Sequence, residues 1–422
     1  MSAAQKWVGA RSVKRLETVR EATALNKQYN ERMWTDIAAG KQFVFGYGPM
    51  ELFNAMGIYL VLPVQYGSVM AAKQMYGQFQ AAIERQGYFP SLANYESLPL
   101  GYCFEPDERA PYGGLPKPAA IFGGYMQEPG IYELYAREFG VPALLTDDPY
   151  RQLGIPSGWW DGPEWRDPRT LDFAVAELRS AVRLLEQVTG VPYREKDLRE
   201  LMHRANEMSR LYEEIVQLGW GADRPALFTA TDAYSEVAIF ETHFGHQWAL
   251  EHVQRVHAEV VQRAQDGAFA VPGERTRLLW AGTPLWFNLG FLNAWEESHG
   301  TVFIETMYLP RAKRLIQDPT DDALRAAFLR RHMKYTGSSP KAAADLVIAQ
   351  CREFHIDGVV LPARAATRDT IASSRYMALA LREAGIAVHL LDYAPFDSEA
   401  WDEETMRAEV TAFIESIQAA AR

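Results

Sequence analysis

The chain has 422 residues, 48% of them apolar, with 43 Lys and Arg against 54 Asp and Glu, for a formal net charge of −11. That length predicts two to three domains with full hydrophobic cores. The negative balance excludes broad nucleic-acid binding and attachment to an anionic membrane, both of which need a cationic face.

The first twenty residues lack an apolar stretch of signal-peptide length, so secretion is not expected. Residues 12–38 read as a long polar helix whose partial apolar stripe is Val13, Leu16, Val19, Leu25 and Met33. "KQFVF" reads as a strand and "PMELFNAMG" as a helix closed by Gly57. "IYLVLPV" reads as a buried strand, too short to span a bilayer and interrupted by Pro63. A helix follows in "MAAKQMYGQFQAAIERQG". Beyond the Cys103 loop come a strand in "PAAIFGG", a helix in "PGIYELYAREFG" and a strand in "VPALLTD". Short apolar strands alternating with helices predict a parallel sheet covered on both faces.

From residue 168 to about 266 the pattern is helical throughout. Alternation returns at "TRLLWAG" and runs through "TVFIETM", "IDGVVLPA" and "AVHLLDY" to a last helix from about residue 402. The expected fold is α/β, with two open parallel-sheet domains of the Rossmann or flavodoxin type. Residues 1–167 form the first and 271–422 the second, joined by a helical region over 168–270. Ligands of such sheets bind beyond the C-terminal strand ends, here in a cleft between the two domains.

Four stretches are candidates for chemistry. In "VFGYGPMELFNAMG", Gly46 and Gly48 flank Tyr47 where a strand turns into a helix, and glycine there permits close approach of a ligand to the backbone. Pro49 suits the start of the helix, and Glu51 falls in its first turn, where the helix dipole favours a carboxylate. Glu51 stands where a dinucleotide fingerprint needs its third glycine, so a nicotinamide site is not expected. A tight turn with a helix cap accounts adequately for the glycines and less well for the pattern Pro-x-Glu-Leu-x-x-Ala-x-Gly. In "ETHFGHQWALEHVQRVH", His243 and His246 share a helix face without a third ligand, and packing is the expected role. In "PRAKRLIQD", Arg311, Lys313 and Arg314 stand at the mouth of the second sheet, where they either meet phosphates or are simply solvated. In "SGWWDGPEW", three tryptophans need a surface to cover them, most simply between domains. Two cysteines, Cys103 and Cys351, exclude a disulfide framework, suit a reducing cytoplasm and fall short of a four-thiolate cluster.

The order of "PMELFNAMG", "LGYC", "RLLWAGTPLWFNLGFLNAWEESHGTVFIETM" and "DGVVLPARAATRDTIASSRYMALALREAGIAVHLLDY" resembles the 2-hydroxyacyl-CoA dehydratase and benzoyl-CoA reductase subunit family across nearly the whole chain. The resemblance implies two related subunits, [4Fe-4S] clusters each held by three cysteines of one subunit, and an ATP-hydrolysing activator that supplies single electrons to an acyl-CoA thioester. Cys103 matches the first ligand position. The second and third positions read "IFGGYMQEPG" and "LPARAATRDT", without cysteine, and Cys351 is out of register. The expectation is therefore a chain without its own complete cluster, partnered by a homologous subunit that bears one. Gly46, Tyr47, Gly48, Arg311 and Lys313 are the expected substrate contacts. Two alternatives stay open: a non-redox acyl-CoA-binding scaffold, and a stand-alone acyl-CoA lyase or dehydratase with Glu51 as acid or base.

Overall fold

The structure, a computed structural model, describes residues 9–88, 95–124, 129–146, 168–305, 315–334, 340–362, 368–393 and 397–421. Two wholly parallel four-stranded sheets organise it. β1 (Phe43–Gly46), β2 (Tyr59–Val61), β3 (Ala120–Gly124) and β4 (Ala143–Thr146) lie in the order β2-β1-β3-β4. β5 (Thr276–Trp280), β6 (Thr301–Glu305), β7 (Gly358–Pro362) and β8 (Ala387–Leu391) repeat that plan as β6-β5-β7-β8. The expected pair of open parallel sheets is the observed architecture. Each sheet starts in its middle, adds one neighbour and then crosses to the other side, which puts a topological switch between β1 and β3 and another between β5 and β7. Phe45 pairs with Val61 on one side and Ile121 on the other; Leu279 pairs likewise with Ile304 and Val359. All six are buried, as strands covered on both faces require.

The helices, in chain order, are α1 (Thr18–Ala38), α2 (Met50–Met56), α3 (Pro63–Ala72), α4 (Tyr76–Arg85), α5 (Leu98–Phe104) and α6 (Pro129–Phe139). α7 (Pro168–Thr189), α8 (Glu195–Trp220), α9 (Ala230–Thr242) and α10 (Gln247–Asp266) follow. Around the second sheet are α11 (Glu296–His299), α12 (Ala323–Lys334), α13 (Pro340–Glu353), α14 (Arg368–Glu383) and α15 (Glu403–Ala420). Several bounds differ from the sequence reading for local reasons. Pro63 opens α3, where its missing N–H costs nothing, and so ends β2 early. The helix expected from Met70 onward divides at Gln74, whose φ is 57°. The long helix expected from residue 12 starts only at Thr18. Ahead of it, residues 10–16 form a non-helical strap over the second half of the molecule. The strap's Ala10 and Val13 N–H groups donate to Asn288 Oδ1 and Asn293 Oδ1 at 3.0 and 2.9 Å. Its Arg15 N–H donates to Asp232 Oδ1 at 2.7 Å, and Asp232 also completes a capping box with Thr229 at the start of α9.

Hydrophobic burial does not follow the chain order of the expected domains. One core joins the first sheet to α7, to Leu198 and Met202 of α8, and to Ala323, Ala327 and Phe328 of α12. A second joins the second sheet to Leu16, Val19 and Ala22, to α8 from Ala205 onward, and to α9 and α10. The helical region is thus shared between the lobes, and α1 and α8 each run from one core into the other.

A buried polar network fastens α1 to this second core. His252 Nε2 lies 3.0 Å from both Glu236 carboxylate oxygens, Tyr212 donates its hydroxyl to Glu236 at 2.9 Å, and Glu21 bridges His252 Nδ1 to Arg255. Burial works against a charged His252, but Glu236 and then Glu21 outweigh it and raise the imidazole above its usual value. A folded pKa above the unfolded one stabilises the fold fully below about pH 6.5 and loses that contribution as pH rises through the folded value. Thermal unfolding followed from pH 6 to 9 is therefore expected to show a decline in the native chain that is smaller in His252→Gln. Equal slopes in the two proteins would refute the linkage.

Candidate functional site

The β1–α2 turn brings together the residues the sequence singled out, and it brings them onto the protein's own core. Gly46 has φ of 150°, and a Cβ there would lie 1.8 Å from the Phe122 carbonyl oxygen of the neighbouring strand. A Cβ on Gly48 would come within 2.9 Å of the Phe122 and Phe53 rings. Tyr47 is buried and donates its N–H to Phe122 O at 2.7 Å. Within the chain, the close approach these glycines permit is to Phe122 of β3 and, at Gly48, to Phe53 of α2 as well.

Glu51, in the first turn of α2, meets a partner far away in sequence. Its Oε1 accepts from Arg330 Nε at 2.7 Å, with side-chain exposures of 8% and 3%. Arg330 Nη1 donates at 2.8 Å to both Ser209 Oγ and Leu315 O, and the guanidinium lies over the Phe244 ring at 4.3 Å. Burial lowers the Arg330 pKa and Glu51 opposes that shift. The pair therefore joins α2 of the first lobe to α12 and to α8, where the two cores meet. Sequence reasoning missed Arg330, although Ala323, Ala327 and Arg330 follow a buried helical spacing that flags an arginine on an apolar face.

Cys103 does not lie in a loop; it is near the end of α5, half-buried against the first core. Burial, helped by Glu138, pushes its thiol up to about 12. Cys351 is buried in the second core, and burial pushes it to about 12 as well. Metal and cluster ligation needs thiolates converging on one point. Two protonated thiols in different cores do not fit a cluster that takes three cysteines from one subunit. Among the described residues, no group of three or more His, Cys, Asp and Glu side chains is placed to hold a metal ion. Arg311, Lys313, Arg314 and "SGWWDGPEW" lie outside the described residues.

His243 and His246 do not share a helix face. α9 ends at Thr242, Gly245 takes a left-handed φ of 82° with Leu201 packed against it, and His246 caps α10. Both rings pack against Tyr29 and Trp248. Burial, then the neighbouring His246, holds His243 well below the usual histidine value; burial, then Arg204 and Arg32, lowers His246 to about 4. His243 also lines a narrow cleft of about 30 Å³ beside the C-terminal end of β2. Tyr29 and Trp34 of α1, Leu60 to Leu62, and Tyr66 and Tyr112 form its other walls.

Residues 46–417, from the β1–α2 turn to the last helix, match the family described as "2-hydroxyglutaryl-CoA dehydratase, D-component". The chain belongs to this dehydratase family. Curated relatives are distant. The lactoyl-CoA dehydratase subunit alpha of Anaerotignum propionicum is 20% identical over 332 residues, 74% of this chain and 75% of that protein. The (R)-2-hydroxyglutaryl-CoA dehydratase subunit alpha of Acidaminococcus fermentans is 22% identical over 180 residues, 42% of this chain. The chain spans only 35% of that relative's length. The (R)-phenyllactyl-CoA dehydratase alpha subunit of Clostridium sporogenes is 21% identical over 243 residues, 56% of each chain. All three are named as subunits of dehydratases of 2-hydroxyacyl-CoA thioesters, as the motif order implied. Among the described residues, no helix is long and apolar enough to cross a membrane.

Proposed function

We propose that the chain is a cytoplasmic subunit of a 2-hydroxyacyl-CoA dehydratase or benzoyl-CoA reductase-like complex acting on an acyl-CoA thioester, aromatic thioesters included. A homologous subunit holds the [4Fe-4S] cluster, and an ATP-dependent activator delivers the electrons. The observation that carries the reading is a family match over residues 46–417 in a chain whose two thiols sit in separate cores. Such a chain supplies walls and a docking face and leaves redox chemistry to its partner. The ion pair of Glu51 with Arg330 supports a scaffolding use of that carboxylate over the stand-alone acid–base alternative.

The test is anaerobic expression alone and together with a homologous subunit that has the three cysteines, read by size exclusion, mass and iron content. The chain alone is expected to be colourless. The pair is expected to co-elute with iron, and to keep it in Cys103→Ala. Near-stoichiometric iron in the lone chain, lost on Cys103→Ala, would overturn the cluster-free reading. A strict monomer that ignores the partner and binds no acyl-CoA would overturn the enzyme reading.

A further inference from the structure

A polar pocket of about 320 Å³ opens at the N-terminal ends of β5 and β7, the end of the second sheet opposite the one at which such folds bind their ligands. Its floor is Arg277, 5% exposed. That guanidinium donates to Glu274 Oε1 at 2.8 Å and to the carbonyl oxygens of Trp220, Phe354 and Arg224 at 2.9, 3.0 and 2.9 Å. Glu274 is fully used, since its Oε2 accepts the Ala226 N–H at 2.6 Å. On the wall, Arg224 is neutralised by Asp223 through two hydrogen bonds at 3.2 and 3.1 Å. These two ion pairs leave three lining groups with spare capacity. Arg275 donates its Nε to His299 O at 3.1 Å, and its two Nη groups are uncommitted among the described residues. His355 has no partner among them. Asp357 accepts the Arg277 N–H on Oδ2 at 2.7 Å, which leaves Oδ1.

His355 is the residue that folding alone does not explain. α13 ends at Glu353, the Ile356 N–H donates back to Cys351 O at 2.8 Å, and His355 has φ of 49°, the left-handed position of a Schellman turn. Glycine is the usual residue there because it takes that conformation without steric cost. Here the position carries an exposed imidazole that lines the pocket with Arg275. Residues held in such conformations gather at ligand sites. The spare groups are also unbalanced. Two guanidinium nitrogens and an imidazole stand against one carboxylate oxygen, so the occupant that fits them is rich in acceptors and has one donor.

We propose that this pocket binds a small hydroxylated anion, a phosphate monoester or a carboxylate, with its charge on the Arg275 guanidinium and His355 and its hydroxyl donating to Asp357 Oδ1. It lies at the opposite strand ends from the expected acyl-CoA cleft and needs neither a partner subunit nor a cluster, so its failure leaves the acyl-CoA reading as it stands.

The experiment titrates the full-length chain with glycerol 3-phosphate, glycerate and glycerol at constant ionic strength, using calorimetry and ligand-observed NMR. Glycerol 3-phosphate or glycerate is expected to bind at millimolar concentration or below, and the tighter of the two tells a phosphate site from a carboxylate site. Glycerol, without charge, is expected not to bind in that range. Ethyl phosphate and propionate lack the hydroxyl, and each should bind about fivefold more weakly than its counterpart, the scale of one hydrogen bond. Arg275→Met should weaken binding at least about tenfold, the scale of a hydrogen bond to a charged group. His355→Gly removes the ring and relieves the backbone, so binding should weaken while thermal stability rises or is unchanged. Failure of both hydroxylated anions to bind, glycerol or the analogues without a hydroxyl binding as well as they do, or an affinity indifferent to both substitutions would each overturn the proposal.

Discussion

Arg330→Met is expected to destabilise the chain by about 3–5 kcal/mol, the scale for breaking a buried ion pair from one side. The Glu51 carboxylate would be left in a site 8% exposed without the guanidinium that now lies 2.7 Å from it. Removing both charges, in Glu51→Leu with Arg330→Met, should recover most of that loss, because well-packed apolar residues replace buried pairs at little net cost. Recovery should be incomplete, since the Leu315 carbonyl and Ser209 hydroxyl also lose the Arg330 Nη1 donor. Urea unfolding of the single and double variants measures the coupling. Additive losses would show that the two side chains do not depend on each other. The same double variant separates scaffolding from proton transfer. Turnover of the assembled complex is expected to return with stability; a loss of about 10²-fold that persists in the stable double variant would instead make Glu51 an acid or base.

What the sequence revealed and what it concealed divide along the range of the interactions. The β strands are legible because runs such as "FVF" and "LLW" are apolar throughout, the mark of strands buried on both faces. Gly57 and Gly140 were legible as helix stops and have φ of 70° and 59°. The break between α9 and α10 was not, because Gly245 sits between two strongly periodic segments and its conformation depends on Leu201, from another helix. The lobe boundaries were not legible either. Whether Leu198 and Ala205 of one continuous helix face different cores depends on where two sheets end up, not on local pattern. The cleft was missed because α1 was read by its aliphatic stripe. Tyr29 and Met33, four apart on one face of α1, with Trp34 next to Met33, are the available signal.

Gly46→Ala is expected to cost more than about 3 kcal/mol or to prevent folding, whereas Gly48→Ala costs less. At Gly46 two penalties combine. Its φ of 150° is closed to residues with a side chain, and the new methyl would meet a backbone oxygen at 1.8 Å. That oxygen is Phe122 O, held by the Tyr47 N–H hydrogen bond at the end of the β1–β3 ladder, so it cannot retreat without opening the sheet. At Gly48 the obstacles at 2.9 Å are the edges of the Phe53 and Phe122 rings, which can tilt by a few tenths of an ångström, leaving overpacking of about 1–3 kcal/mol. The ordering discriminates between the two uses of these glycines. If they served chiefly to let a ligand approach the backbone, both variants would fold with near-native urea midpoints and lose only acyl-CoA binding. If they serve strand contact, stability falls in the order native, Gly48→Ala, Gly46→Ala, and acyl-CoA binding by the folded Gly48→Ala complex changes little. Urea midpoints of the three proteins decide it, and a Gly46→Ala midpoint equal to the native one would show that β1 and β3 are not in the contact described.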